Sequence, residues 1–509
     1  MRGCQPLFCI CGCRLPQRVV AVLLCSLGVI VAYGQRTDVN VAITRLVSPN
    51  IRNLSQGCPT NVTEVAPIEG GTKEWTELIQ GMILGSFYVG YLIGQVPAGI
   101  IADLFGPRWV YAGGIFASSL ISLVTPVTIQ YLHWTLVVFS RIISGIAQSV
   151  IFPSISILVS RWVPFKERST LGALTYSSVA LGVIVGNTIS GFIMYYMNNW
   201  PNVFYFWGMS GLLWTATFLL YVYSDFKVHP HILESEMKFL SENIESLTRR
   251  KIPYKRIITD KGIIAMIIGQ IGHDITVFLC VTNIPKYQSD VLRLSVRDVS
   301  IISSVPFTGA WLSGIVSGTS TFLVLMTYAG CNIPLSVTCY AIAVTFIGPF
   351  CASHKVNQMD ITVNYNGFVM SLINGVGCFT GFSTPLFISL VAKDNTLWQW
   401  QIVGWYICLM TCFAGLYYAF MLEVNRAEWD VPPDQHDEWR QKLDDKTAEE
   451  EQLKQMEKTK KAEKQAAKDF ANQSKYKTSG VLGAKEIEQQ FEKFMENQSL
   501  DCIIPQSTM

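Results

Sequence analysis

The chain has 509 residues, 50% of them hydrophobic and only 15% charged, and its formal net charge is +2. A soluble domain carries about a quarter charged residues, so this composition excludes an ordinary soluble globular protein. The near-neutral balance likewise gives no basis for a nucleic-acid partner.

The charges sit in short clusters between long apolar runs. Cys4, Cys9, Cys11 and Cys13 crowd the N-terminus beside Arg14 and Arg18. Such juxtamembrane cysteines are candidates for palmitoylation, and their arrangement is a poor zinc site. No cofactor or metal is expected, and the chain is not read as an enzyme.

A bilayer-crossing helix needs about 20 mostly apolar residues. Runs of that length begin near Arg18, Leu78, Arg108, His133, Ser169, Asn202, Gly262, Val299, Asn332, Asn366 and Trp398, which makes roughly eleven spans. Arg14 and Arg18 before the first run also fit a signal peptide. The helical pattern continues through Val39, Val41, Ala42 and Ile43, however, and favours a first transmembrane helix.

Basic residues then set the orientation. Arg108, the group Arg161, Lys166 and Arg168, and the run from Lys227 to Arg256 occupy alternate loops, which are expected in the cytosol. The first loop carries glycosylation sequons at Asn53 and Asn61, which need an exterior face. The predicted order is a cytosolic N-terminus (1–17), an N-terminal membrane half (18–224), a cytosolic central loop (225–261), a C-terminal membrane half (262–424) and a charged tail (425–509). The tail reads as a solvated helix over 436–472. It ends in Ser507-Thr508-Met509, similar to a ligand for a PDZ-type partner.

Four groups of residues carry chemistry. Gly99, Asp103, Gly106 and Arg108 form a turn in which the aspartate can sit at a helix N-terminus, and the spacing resembles the gating signature of major facilitators. Arg141 lies inside an apolar run, where a charge costs roughly 2.5–3.5 kcal/mol; it needs a carboxylate, a water-filled cavity or an anionic ligand. Arg36 either snorkels to the interface or, with Asn40 on the same helix face, presents a guanidinium fork to a cavity. His273 and Asp274 form an intramembrane ionisable pair suited to coupling a proton or sodium ion. The glycine pairs 81/85, 90/94, 182/186 and 377/381 are assigned to helix packing.

Over residues 17–430 the chain resembles the anion:cation symporters of solute carrier family 17. The resemblance is carried by Tyr33-Gly-Gln-Arg36-Thr-Asp-Val-Asn-Val-Ala-Ile43, the stretch Gly81–Tyr91, Arg161-Trp-Val-Pro-Phe-Lys-Glu-Arg-Ser169, Asn199–Tyr205, Ser371–Gly377 and Trp398-Gln-Trp-Gln401. It implies an all-α polytopic membrane protein of the major facilitator fold, with two six-helix halves, that transports small anions with a sodium, proton or membrane-potential gradient. The family's first-helix and fourth-helix arginines fall on Arg36 and Arg141. Leu84 replaces a histidine of the vesicular glutamate transporters, Gln148 replaces a glutamate, and His273 replaces an arginine. Loss of that carboxylate points to the phosphate and organic-anion branch.

The family has twelve spans. Between Val299 and Ser353 there is no charged residue, too little chain for three crossings. The C-terminal half therefore reads as one span short near 318–321. Two other readings accompany coupled transport: an uncoupled anion conductance, favoured by Gln148, and a shortened, non-transporting chain that regulates a full-length partner. A plasma, vesicular or lysosomal membrane is expected.

If the first loop is exterior, the protein from mammalian cells carries N-glycan, and the double variant Asn53→Gln/Asn61→Gln loses the mobility shift caused by glycosidase. An unshifted wild type would overturn this orientation.

Overall fold

The computed structural model describes residues 9–10, 13–47, 71, 73–244, 252–280, 284, 287–288, 319–329, 332–345, 348–392, 396–422, 425–441 and scattered positions over 444–465. Asn53, Asn61, the PDZ-like terminus and residues 299–318 lie outside the described residues.

The N-terminal half comprises α1 (Gln17–Leu46), α2 (Glu77–Phe105), α3 (Pro107–Tyr131), α4 (Trp134–Ser149), α5 (Ile151–Trp162), α6 (Phe165–Met197) and α7 (Pro201–Tyr221). After α8 (Glu234–Asn243) and α9 (Tyr254–Thr259) come α10 (Lys261–Phe278), α11 (Thr319–Tyr328), α12 (Ile333–Thr345), α13 (Gly348–Ile361), α14 (Asn366–Val391) and α15 (Leu397–Met421). Among the described residues, nine helical stretches are long and apolar enough to cross a membrane. Their starts follow the expected runs except those from Val299 and Asn332. One amendment to an all-α chain is an antiparallel pair of two-residue strands, β1 (Cys9–Ile10) with β2 (Cys13–Arg14).

One expectation changes. The run from Asn332, expected as one span, comprises α12 and α13, and α13 continues past the uncharged stretch that ends at Ser353 to Ile361. Its polar residues His354, Lys355 and Gln358 are buried, because α13 packs between α6 and α14 and turns them into the protein instead of into water. The shortening expected near 318–321 falls partly outside the described residues, which resume at Thr319, the first residue of α11.

The fourth span is two helices, with a break at Val150. Pro153 has no N–H to offer the Ser149 carbonyl four residues earlier. Gln95 Nε2 of α2 donates to that carbonyl instead, at 2.8 Å. A side chain on the neighbouring helix thus satisfies the acceptor that proline exposes, as a bundle in hydrocarbon requires.

The halves meet along α2 and α14. A Cβ at Gly99 would lie 2.3 Å from the Gly367 carbonyl oxygen, so only glycine permits this approach. At the same basic end, Ser156 Oγ donates to Asn366 Oδ1 at 2.6 Å. Arg168 Nη1 donates to the Met359 carbonyl at 3.4 Å and pairs with Asp360 Oδ1 at 3.7 Å. Gly106 joins α2 to α3 with φ +88°, a left-handed value glycine adopts freely, and Pro107 then opens α3 in the first helical position.

Two carboxylates tie connecting segments to helix ends. Glu236 of α8 accepts from the backbone N–H groups of Gln17 (2.9 Å) and Arg18 (3.2 Å), capping α1 where its dipole is positive. Asp430 accepts from Thr362 Oγ1 (2.7 Å), the N–H groups of Val363 and Asn364 (3.0 Å each) and Arg426 Nε (2.7 Å), fixing the turn before α14. Residues from Val431 onward form a separate unit.

The seam gives a differential test. Gly99→Ala must displace backbone, at a cost of about 1–3 kcal/mol, and lowers the thermal midpoint of the purified protein. Gly113→Ala, which meets nothing within 4 Å, leaves it unchanged. Equal midpoints for the two variants would contradict this account of the seam.

Candidate functional site

A cavity lies between the halves. Tyr33, Arg36, Tyr88 and Tyr91 of α1 and α2 line one wall, and Gln270, His273 and Asp274 of α10 face them with Lys355 of α13 and Asn374 of α14. Phe152 and Tyr176 complete the N-terminal side.

Arg36 does not snorkel. It lies well inside α1, is 7% exposed and lines the cavity. Its guanidinium carbon sits 4.5 Å from the Tyr33 ring centroid, 4.8 Å from Tyr91 and 5.1 Å from Phe87, so three π-faces partly replace its hydration. Nε donates to Gln148 Oε1 at 2.8 Å. Nη2 makes no hydrogen bond among the described residues. Among the described residues no carboxylate pairs with Arg36.

Gln148 is held from both ends. Its Nε2 donates to Gln35 Oε1 at 3.2 Å. That oxygen also accepts from Ser118 Oγ at 2.6 Å, while Gln35 Nε2 donates to Ser119 Oγ at 2.9 Å. The chain of neutral groups fixes the amide so that its oxygen faces Arg36.

Arg141 stands differently. Nη1 is 3.7 Å from Asp38 Oδ1, Nη2 donates to the Arg36 carbonyl at 3.3 Å, and the guanidinium shares the Phe87 ring at 5.1 Å. The carboxylate partner its burial demands is therefore Asp38, two residues beyond Arg36, and Arg141 is not among the cavity-lining residues. Asn40 is buried and also stands outside the lining.

His273 and Asp274 both line the cavity within an unbroken α10. Asp274 Oδ1 accepts from Gln270 Nε2 at 2.7 Å and lies 3.1 Å from His273 Nδ1. Its carboxylate lies against Gly377 of α14, where a Cβ would come within 2.2 Å of Oδ2.

The turn residues form a second cluster, at the basic end. Asp103 Oδ2 lies 3.2 Å from where a Cβ would stand at Gly367, in the first turn of α14, a position that suits negative charge. Arg108 hydrogen-bonds the Leu219 carbonyl near the end of α7 and stacks 4.3 Å from the Tyr223 ring centroid. Each charge thus meets the helix end of opposite polarity.

Sequence reasoning missed Lys355 and Asn374. The uncharged stretch ends at Ser353, two residues before Lys355, whereas α13 continues to Ile361 and carries Lys355 within a helix. The aromatic box around Arg36 was half visible, since Tyr33 precedes Arg36 on the same helix, whereas Phe87 and Tyr91 arrive from α2.

A bundle of membrane-spanning helices around a buried cavity bearing ionisable groups defines a polytopic membrane transporter. The chain belongs to the Major Facilitator Superfamily, whose sequence family matches residues 25–394. It is 27% identical to "Sialin" of Homo sapiens over 448 residues, covering 80% of this chain and 89% of that one. It is 28% identical to a "Putative inorganic phosphate cotransporter" of Drosophila melanogaster (82% and 88% covered) and 26% identical to "Vesicular glutamate transporter 3" of Danio rerio (84% and 77%). These relatives belong to the solute carrier 17 group indicated by the sequence motifs. In fold, the chain is similar to a bacterial homologue of the human lysosomal transporter Spinster in an inward-facing, unoccupied conformation. That match has a TM-score of 0.54 and 12% identity, with 82% of this chain and 98% of that one covered. A D-xylose-proton symporter matches with TM-score 0.54 and 14% identity (80% and 98% covered).

Gln148 yields a sharp expectation. In Gln148→Glu a carboxylate replaces the amide oxygen at Arg36, so anion uptake falls at neutral pH and recovers as acidification protonates the glutamate. Uptake equal to wild type at every pH would show that the neutrality of this position has no effect.

Proposed function

We propose that the chain is a secondary active transporter of small organic or inorganic anions working by alternating access, with the phosphate and organic-anion branch favoured. The observation that carries this reading is Arg36: a buried guanidinium at the cavity, held by a neutral amide and aromatic rings, and paired with no carboxylate among the described residues. A guanidinium so placed retains its charge and favours an anion in a medium where few other partners are at hand. Two of the relatives, an inorganic phosphate cotransporter and a vesicular glutamate transporter, are named for anions, which supports the class.

Arg36 would receive the anion. Arg141, neutralised by Asp38, would hold the α1 backbone beneath it through the Arg36 carbonyl. Rocking of the halves would require the contacts at the basic end to part: the Gly99–Gly367 approach, Ser156 with Asn366, and Arg168 with Asp360. By its basic content this end is the cytosolic one. His273 and Asp274 are the coupling candidates for a proton or sodium ion, since they line the cavity and can change charge or hold a cation. A second reading, an uncoupled anion conductance driven by membrane potential, is favoured by Gln148, which cannot titrate.

Uptake into proteoliposomes, with and without imposed proton, sodium and electrical gradients, separates these readings. Arg36→Ala reduces uptake to below about a tenth of wild type while still inserting, and Arg36→Lys remains impaired because an ammonium lacks the planar fork. Near-normal uptake by Arg36→Ala removes Arg36 from the site.

A further inference from the structure

Lys355 has no part in the reading above, yet it lines the same cavity as Arg36. It comes from α13 of the C-terminal half, whereas Arg36 comes from α1. Its ammonium donates to Asn374 Oδ1 of α14 and stands 5.9 Å from the Phe152 ring centroid of α5. One contact anchors it to its own half, and the other faces it toward the opposite wall. At 5% exposure it does not use its flexible stem to reach water. A lysine kept buried in a membrane bundle calls for a purpose.

Charge arithmetic narrows that purpose. Among the described residues, the cavity lining holds two basic side chains, Arg36 and Lys355, and one carboxylate, Asp274, which accepts from Gln270 and lies beside His273. The excess is positive and is divided between the halves. A singly charged ligand can neutralise the Arg36 side; a ligand with negative charge directed at both walls can also engage Lys355. Such a ligand touches both halves, so its binding free energy depends on their relative position, which is the differential affinity a ligand needs to shift a conformational equilibrium.

We propose that Lys355, positioned by Asn374, is a second anion-binding pole, and that the substrate is a small dianion bridging Arg36 and Lys355. This rests on the anion-transport reading and deepens it. The shared chemistry is two negative charges within one small molecule, carried either on two carboxylates or on a single phosphate.

The test offers radiolabelled succinate, inorganic phosphate and lactate to proteoliposomes of the full-length wild type, Lys355→Gln and Lys355→Arg, with thermal midpoints measured in parallel. The KM for the transported dianion is expected to rise about 10- to 100-fold in Lys355→Gln, far more than that for lactate, and to recover in Lys355→Arg. A rise confined to succinate identifies the two-carboxylate form, and one confined to phosphate the compact form. An equal rise for dianion and lactate, or no rise for any, overturns the inference. A wild type that carries lactate but neither dianion overturns it too and leaves the anion reading intact. A wild type that moves none of the three overturns both. Should Lys355→Gln prove misfolded, Lys355→Arg against Asn374→Ala tests the same point: dianion KM retained in the first and raised in the second.

Discussion

A guanidinium inside a membrane bundle must have its water replaced by protein, and the N-terminal half is arranged around doing so for Arg36. Three aromatic faces surround it and one neutral amide accepts from it. Holding that amide in the required sense occupies Gln35, Ser118 and Ser119, so the solvation of one side chain reaches through α1, α3 and α4. The break at Val150 follows closely after Gln148. There the Ser149 carbonyl, which cannot bond to Pro153, is taken up by Gln95 of α2. Close approach of α2 to α4 makes this reach available: a Cβ at Gly145 would lie 2.0 Å from the Phe87 carbonyl oxygen.

The two arginines show how neighbouring charges of one sign are given different environments. Arg141 lies against Asp38, which balances its charge, and contacts the backbone of its fellow arginine. Arg36 has aromatic rings and an amide, neither of which cancels its charge. The Phe87 ring centroid lies 5.1 Å from both guanidiniums. Pairing both arginines with carboxylates would have left no attraction for an anion. Leaving both without carboxylates would have concentrated like charges in a low dielectric, where repulsion is strong.

Much of this architecture was legible in the sequence. The spans through α7 are long apolar runs separated by basic or glycine-proline turns, and both signals are local. The turn at Gly99–Arg108 was legible for the same reason, including the suitability of Asp103 for a helix N-terminus; that the helix would be α14 of the other half was not. The alternatives for Arg36 and Arg141 needed tertiary contacts to separate them, because Asp38 stands the same two residues from Arg36 whichever arginine it serves. Lys355 escaped notice because an apolar count treats polar residues as the end of a span. In α13 those residues continue the helix and face protein. Burial of a polar helical face depends on α6 and α14, which are distant in sequence.

The carboxylate of Asp430 gives the membrane unit a definite end. It lies beyond the last spanning helix, yet it organises the turn that leads into the helix before that one, receiving hydrogen bonds from Thr362, Val363 and Asn364. That turn opens α14, whose first residues meet Ser156 and Gly99 across the seam. Shortening the chain just after α15 would therefore loosen an inter-half contact far away in sequence, although no spanning residue is lost. Residue 430, and not the end of the last apolar run, marks where the transporter stops and its appendage begins.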